Sequence, residues 1–362
     1  MRIRELNLRP FRNLAAIRLS FASNYALVFG PNGRGKSNIL EAISYLSIGK
    51  SVRGARDPQA VPHGGEFFSI QATCSDGRYD RKLRIFYGKK EGKKASVDSS
   101  TLPRVSDLLG VFRTVHFSPE DVSLVLRFPA QRRRLLDILI SQSSAGYLRD
   151  LQRYRHALAQ RNHLLRAAKK SNRGQIDRQV MEPWDVQLID FGAEIRKHRL
   201  DALQKLNAPF VRYYDRFSPT GEKVSITYQG TKESDKERLR TELHEAIDRR
   251  REHEAQMGHT LSGPHRDDLK IILNGESAET YASEGQLKTV LISWKLAEAR
   301  YMEEQTGNQP VLLLDDAFSE LDSGRTDELM DIVNEFEQVI ATTPQQPDPR
   351  QEACFETIEL QK

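Results

Sequence analysis

Ile17, Leu19 and Phe21 alternate with polar neighbours, the period of a half-buried strand, and the unbroken apolar run from Tyr25 to Phe29 predicts a strand covered on both faces. The period then changes. Ile39, Ala42, Ile43 and Leu46 recur at i, i+3, i+4 and i+7, one face of a helix that Gly49 can stop. Residues 66–116 return to strand patterns: Phe67 to Cys74 and Lys82 to Tyr87 are joined through Ser75-Asp-Gly77, and a lysine-rich turn, Lys89 to Lys94, leads to a further short strand. From Pro119 the chain reads as helical. Leu135, Leu136, Leu139 and Ile140, then Leu148, Leu151, Leu158 and Leu165, predict two helices with apolar seams. Pro183 to Leu206 predicts a helix with proline in its first turn, Val224 to Tyr228 a strand, and Ser234 to about Glu254 a charged helix. Leu287, Val290, Leu291 and Trp294 mark another helix, while Val311 to Leu314 and Val339 to Thr343 read as two buried strands.

Between the strand ending at Phe29 and the following helix stands Gly30-Pro31-Asn32-Gly33-Arg34-Gly35-Lys36-Ser37, of the form G-x-x-x-x-G-K-[ST]. Glycines let backbone N–H groups curl around phosphate oxygens, and a helix starting there adds the positive end of its dipole. Lys36 can reach terminal phosphates and the Ser37 hydroxyl can ligate Mg²⁺. Nearby, Pro10-Phe11-Arg12-Asn13-Leu14 is either an ordinary turn or a turn whose Arg12 and Asn13 reach the nucleotide. The strand from Val311 ends in two carboxylates: Asp315 is placed to hold Mg²⁺, and Asp316 to orient an attacking water. The separation, 315 − 36 = 279 residues, requires a nucleotide-binding head made from both chain ends, 1–117 and 259–362, with a mainly helical arm of 118–258 inserted. Ala282-Ser283-Glu284-Gly285-Gln286 precedes Asp315 by about one helix, and Ser319-Glu-Leu-Asp322 follows it. Taken in order, these features give the layout of an ABC-type ATPase head, an α/β fold of mixed sheets and helices. The ASEGQ stretch resembles its signature, making Ser283, Gly285 and Gln286 candidate phosphate donors.

Composition changes this picture in one region. The 362 residues are 38% hydrophobic and 29% charged, enough for two domains with a sizeable core, and the formal net charge is only +5. Residues 127–178, however, hold 13 Lys and Arg against 3 Asp, so this stretch carries 13 − 3 = +10. Solvated helix faces usually mix both signs so that i,i+4 pairs form. The deficit of acids favours contact with a nucleic-acid backbone, with Arg132, Arg133, Arg134, Arg153, Arg155, Lys169 and Lys170 as candidate DNA contacts. The Lys89–Lys94 turn is either a solvated hairpin tip or a smaller contact of the same kind. Cys74 and Cys354 form no spaced motif, no apolar run approaches a bilayer span, and the start lacks the apolar core of a signal peptide. A soluble cytoplasmic protein without a membrane partner is expected.

Within the ABC-type and SMC-like ATPases the chain resembles the RecF family of bacterial recombinational repair. The resemblance is carried by Phe11 to Leu14, Gly30 to Ser37, Phe117 to Val122, Pro129 to Arg134 with Asp137, Trp184-Asp185, Phe191 to Ile195, Gly263-Pro-His-Arg-Asp-Asp-Leu269, Ser283 to Gln286, and Leu314 to Asp316 with Ser319 to Asp322. Arg127-Phe128 departs from the family's glycine and small residue, and Thr342 or Thr343 stands where transporter ATPases have histidine. The resemblance implies an ATP- and Mg²⁺-dependent homodimer with nucleotide between Lys36 of one copy and Ser283 of the other. It implies binding to duplex or gapped DNA, and recombinase loading with mediator proteins during repair and replication restart. Asp316 replaces the usual glutamate and implies slow hydrolysis. His265, lone between proline and arginine, reads as structural. An SMC-like chromosome organiser is the neighbouring alternative, disfavoured because those heads are split by much longer coiled coils. A non-hydrolysing, nucleotide-stabilised DNA-binding scaffold is another.

Overall fold

The computed structural model describes residues 1–77, 79–119, 121, 128–170, 178–218 and 221–360. Arg127 and Arg173, both included in the charge count above, lie outside these, as do Glu120 and Val122 of one family motif. The chain forms two compact units. The head comprises 1–124, 209–222 and 282–362, and the arm comprises 125–208 and 223–281.

Two sheets build the head. In the antiparallel one, β1 (Arg2–Arg9), β2 (Ile17–Ser20), β4 (Phe67–Ser75), β5 (Asp80–Gly88), β6 (Gly92–Val97) and β7 (Ser100–Thr101) run in the order β2-β1-β4-β5-β6-β7. The other is parallel, β14-β3-β13-β12-β8, with β3 (Tyr25–Phe29), β8 (Thr114–Phe117), β12 (Val311–Leu314), β13 (Val339–Thr343) and β14 (Glu356–Glu359). The strands β8 and β12 are buried at every position, as a parallel sheet covered on both faces requires.

Helix α1 (Lys36–Ile48) has 11 of its 13 residues buried, so its sequence is apolar or small nearly all round instead of on one stripe. Its residues share one core with those of both sheets. At the centre Phe11, Tyr45 and Phe68 meet edge to face, with ring centroids 5.8, 5.4 and 5.6 Å apart.

The arm holds α2 (Pro129–Ser143), α3 (Ala145–Lys170), most of α4 (Arg178–Phe217) and α5 (Lys236–Met257). It also holds a three-stranded antiparallel sheet of β9 (Val224–Gln229), β10 (Asp268–Leu273) and β11 (Glu276–Ser277) in the order β11-β10-β9. The expected arm boundary at 258 therefore moves. β10 pairs along its whole length with β9, so residues 259–281 belong to the arm, and 209–222 belong to the head. The helix expected from Pro183 begins at least five residues earlier and runs eleven further, to Phe217. Pro183 is the sixth of its described residues, in the second turn and not the expected first, where it removes one backbone donor.

Replacing Phe68 with alanine should lower head stability by about 3–5 kcal/mol, because it empties the aromatic centre of a core that cannot collapse around it. Urea unfolding of wild type and Phe68→Ala measures this; a change below about 1 kcal/mol would contradict the packing described.

Candidate nucleotide-binding site and basic arm

The glycine loop leaves β3 and enters α1 at Lys36. Gly35 has φ 96° and a Cβ there would collide with Leu14, so only glycine fits. Asn13 braces the loop from the side: its Nδ2 donates to the carbonyl of Gly33 at 2.7 Å, and its Oδ1 accepts from Asn38 Nδ2 at 2.7 Å. Pro31, Asn32, Gly33 and Arg34 are exposed and Ser37 is half-buried in the first turn of α1. Lys36 is 4% exposed, and its Nζ donates to the carbonyls of Gly30 and Pro31 at 2.8 and 3.2 Å. Arg12 points elsewhere. Its guanidinium forks onto Glu41, both bonds 2.6 Å, and Glu41, fully buried, also accepts from Ser51 Oγ. The turn is thus two things at once: Asn13 serves the loop and Arg12 a buried ion pair.

Asp315 follows β12 and lies 3% exposed. The strands β3 and β12 both flank β13 and run parallel to it, so the loop and Asp315 emerge at the same sheet edge with one strand between them, about 10 Å apart laterally. Thr342, on that middle strand, holds the carboxylate pair: its hydroxyl donates to Asp315 Oδ1 at 2.8 Å, lies 3.2 Å from Asp316 Oδ1 and accepts the Asp316 N–H at 3.0 Å. Asp316 itself adopts φ 48°, ψ 24°, a left-handed conformation that aspartate tolerates better than most residues. Arg53 Nη2 donates to Asp315 Oδ2 at 3.1 Å. Sequence reading did not single out Arg53, which no local pattern marks; Thr342 was visible only as a strand-end hydroxyl. Asp315 and Ser37 offer hard oxygen donors, the set that Mg²⁺ prefers.

Ser283 caps α6 (Glu284–Thr306), its Oγ accepting from Gln286 N at 3.3 Å while Gln286 Oε1 accepts from Ser283 N at 2.8 Å. This reciprocal box fixes the helix start, where Gly285 also lies. Gln286 Nε2 donates to Glu222 Oε1 at 2.5 Å. Among the described residues no hydrogen bond links Ser283, Gly285 or Gln286 to the phosphate loop.

In the arm the basic candidates divide. Arg132 is 5% exposed and forks onto Asp268 at 3.0 and 2.7 Å, so it is not on a solvated face. It stands one turn before Leu136 and two before Leu139, on the inner side of α2. Arg133 donates to the Asp267 carbonyl at 2.7 Å, and Arg134 is half-buried on the same helix. Arg155 is 57% exposed and reaches Asp137 at 3.2 Å. On α3, Arg149, Arg153, His156, His163, Arg166, Lys169 and Lys170 are exposed, Arg153 lying over the Phe191 ring at 5.6 Å. The acids missing from 127–178 come from other segments, as Arg161 shows: it is 1% exposed and paired with Asp185 at 2.6 Å and Glu254 at 2.7 Å.

Gly263 to Leu269 is the arm's anchoring point. Gly263, at φ 126°, packs where a Cβ would strike the Tyr154 hydroxyl. Asp267 accepts a fork from Arg196 at 2.8 and 2.9 Å and the Tyr228 hydroxyl at 2.6 Å, while Pro264 accepts Arg199 Nη1 at 2.7 Å. His265 Nε2 faces the Thr260 carbonyl at 3.2 Å, which makes Nδ1 the acceptor for Tyr154 at 2.6 Å. Burial lowers the His265 pKa to about 4, so the ring is neutral and structural.

The strand–loop–helix with its paired carboxylates, set in a head of one parallel and one antiparallel sheet, defines the class as an ABC-type, SMC-head-like ATPase fold. The family model "RecF/RecN/SMC N terminal domain" matches residues 2–356. The "DNA replication and repair protein RecF" of Caldanaerobacter subterraneus subsp. tengcongensis is 35% identical over 98% of this chain and 97% of its own. That of Moorella thermoacetica is 38% identical over 94% and 89%. Among solved structures, the recombination mediator protein RecF bound to ATP, described in the RecFOR pathway, superposes with a TM-score of 0.89 at 34% identity, over 96% of this chain and 92% of that one. An Smc head domain from Pyrococcus furiosus, at 16% identity and TM-score 0.55 over 99% and 92%, shares the fold. The chain belongs to the RecF family.

Because the unfolded-state imidazole titrates near 6.5 and the folded one near 4, the unfolded chain binds the extra proton between these values. The contribution of His265 is fully present above pH 6.5 and is lost as pH falls toward 4. Chemical unfolding of His265→Gln should show a flatter stability profile from pH 6.5 to 4 than wild type; parallel profiles would contradict it.

Proposed function

We propose that this chain is an ATP-dependent DNA-binding protein of recombinational repair and replication restart. In this reading it dimerises on ATP, hydrolyses it slowly, and promotes recombinase loading at gapped DNA together with mediator proteins. The observation that carries the nucleotide part is the common sheet edge: the loop leaving β3 into Lys36 and Ser37 at the start of α1, and Asp315 and Asp316 after β12, with Thr342 on the strand between. Lys36 exchanges two neutral loop carbonyls for phosphate oxygens, and exposed Gly33 and Arg34 leave the loop open to the ligand. Ser37 and Asp315 would hold Mg²⁺, which supplies neutralisation of the phosphate charge. The likeness to RecF solved with ATP and with ATPrS, at 34% and 33% identity, supports the same ligand here.

The second copy is proposed to bring Ser283 and Gly285 to the terminal phosphate, their N–H groups being donors at a helix start. Asp316 is one methylene shorter than glutamate and already has the Thr342 hydroxyl beside its carboxylate, so it holds a lytic water less well. Duration of the closed state then matters more than turnover. DNA contact is assigned to the exposed cations of α3. Arg149, Arg153, Arg166 and Lys170 span 170 − 149 = 21 helical steps, about 31 Å, a length suited to tracking phosphates.

Light scattering should show ATP converting monomer to dimer in wild type and not in Lys36→Met, whose steady-state phosphate release should fall at least tenfold. No phosphate release from wild type, with or without DNA, would leave a scaffold instead. DNA affinity should drop by orders of magnitude between roughly 50 and 200 mM salt. Arg149→Gln with Arg153→Gln should weaken binding and reduce that salt slope by about 2, whereas Arg132→Gln should act through stability. A flat salt response would remove the α3 assignment.

A further inference from the structure

A pocket of about 200 Å³ opens in the arm, where the family motifs of α2, α4 and Gly263–Leu269 converge. We propose that it is a binding site for a phosphate group, built from arm residues alone and sharing none with the glycine loop. Its walls carry four guanidinium groups, Arg133 and Arg134 from α2, Arg155 from α3 and Arg199 from α4, against a single lining carboxylate, Asp137. That carboxylate is already heavily shared. It accepts from Arg199 at 2.8 and 3.1 Å, from the Tyr147 hydroxyl at 2.5 Å and from Arg155 at 3.2 Å. Among the described residues the charged side chains of the lining are these four arginines and Asp137, with Asp267 and Asp268 acting on Arg133 from beside the wall.

Three further features select the ligand. Arg133 bonds directly to a neutral carbonyl, that of Asp267; burial and the neighbouring Arg199 charge lower its pKa against the opposing Asp268, Asp137 and Asp267 charges, and an anion in the pocket would offset the Arg199 charge. Ala130, in the first turn of the 15-residue α2, also lines the pocket. Ala130, Arg133, Arg134 and Asp137 fall at i, i+3, i+4 and i+7, so one flank of α2 forms this wall. The guanidinium groups approach from three helices, which suits a tetrahedral oxyanion with oxygens in several directions better than a planar carboxylate. Neutral His265, fixed by Tyr154 and Thr260, shapes the wall without adding charge. At roughly 30 Å³ per water the volume corresponds to about six to seven waters, room for a phosphate and one sugar ring. The ligand is therefore free phosphate or a small phosphate ester, or else a terminal phosphate of a nucleic-acid strand. The site does not require that α3 hold DNA.

Inorganic phosphate is the first probe, titrated into the full chain against chloride at constant ionic strength and read as a thermal shift. Wild type and Lys36→Met should both show a saturable rise. Arg155→Gln and Arg134→Gln, checked for native far-UV circular dichroism, should bind at least tenfold more weakly, and Arg155→Lys should recover part of the loss. Loss in Lys36→Met with full retention in both arginine variants would place the phosphate in the head and overturn the proposal, as would a response no larger than that to chloride. A short duplex with and without terminal phosphates separates the two sources. A preference for phosphorylated ends that disappears in Arg155→Gln identifies the strand terminus, and equal binding alongside a positive phosphate titration identifies the free ester.

Discussion

Everything in the head follows from one constraint on a parallel sheet. Residues that share one edge of such a sheet must follow strands that run the same way, and parallel strands cannot be joined by a tight turn. Here β3 and β12 flank β13, so Lys36 and Asp315, 315 − 36 = 279 residues apart in sequence, come to one edge. The middle strand pairs with both β3 and β12, which brings the two chain ends to that edge, and its Thr342 bonds to Asp315 and to the amide of Asp316. The long separation is then a consequence of topology, since the intervening chain is free to build an arm without disturbing the sheet.

The arm is organised by a different force. Its cores are interrupted by buried arginine–carboxylate pairs: Arg132 with Asp268, Arg161 with Asp185 and Glu254, Arg196 with Asp267, Arg199 with Asp137. Such pairs contribute little net stability over apolar packing, because desolvation offsets attraction, but losing one partner leaves an uncompensated charge. They therefore act mainly as geometric locks. Forked guanidinium–carboxylate contacts hold helices and the 263–269 segment in fixed register, and Arg133, Arg134, Arg155 and Arg199 line a pocket beside them.

Local chemistry made much of this legible from the chain alone. The glycine loop was readable because strand, glycines, lysine and helix are contiguous, and the apolar run before Asp315 was readable because full burial leaves no polar positions. The family resemblance followed from motifs spread over both ends and the insertion. Less legible was the division of the basic stretch. Counting charge treats every arginine alike, yet Arg132 and Arg161 are buried and paired with acids from residues 185–268, while Arg149 and Lys170 remain exposed. The arm's end was misplaced because β10 is stabilised by its pairing with β9, a partner about 40 residues away, and not by any break in local composition.

The sequence by itself determined the glycine loop between strand and helix, the apolar strand before Asp315 and the helix after Ser283, since each is encoded by residues adjacent in the chain. It also determined the family, through motifs that each stand in one stretch. Tertiary structure decided what Arg12 and Asn13 each do, brought Arg53 and Thr342 to Asp315, and sorted the arginines into locks, pocket wall and exposed face. The physical reason is the same throughout: a charged side chain's role depends on its partner, and these partners lie tens to hundreds of residues away.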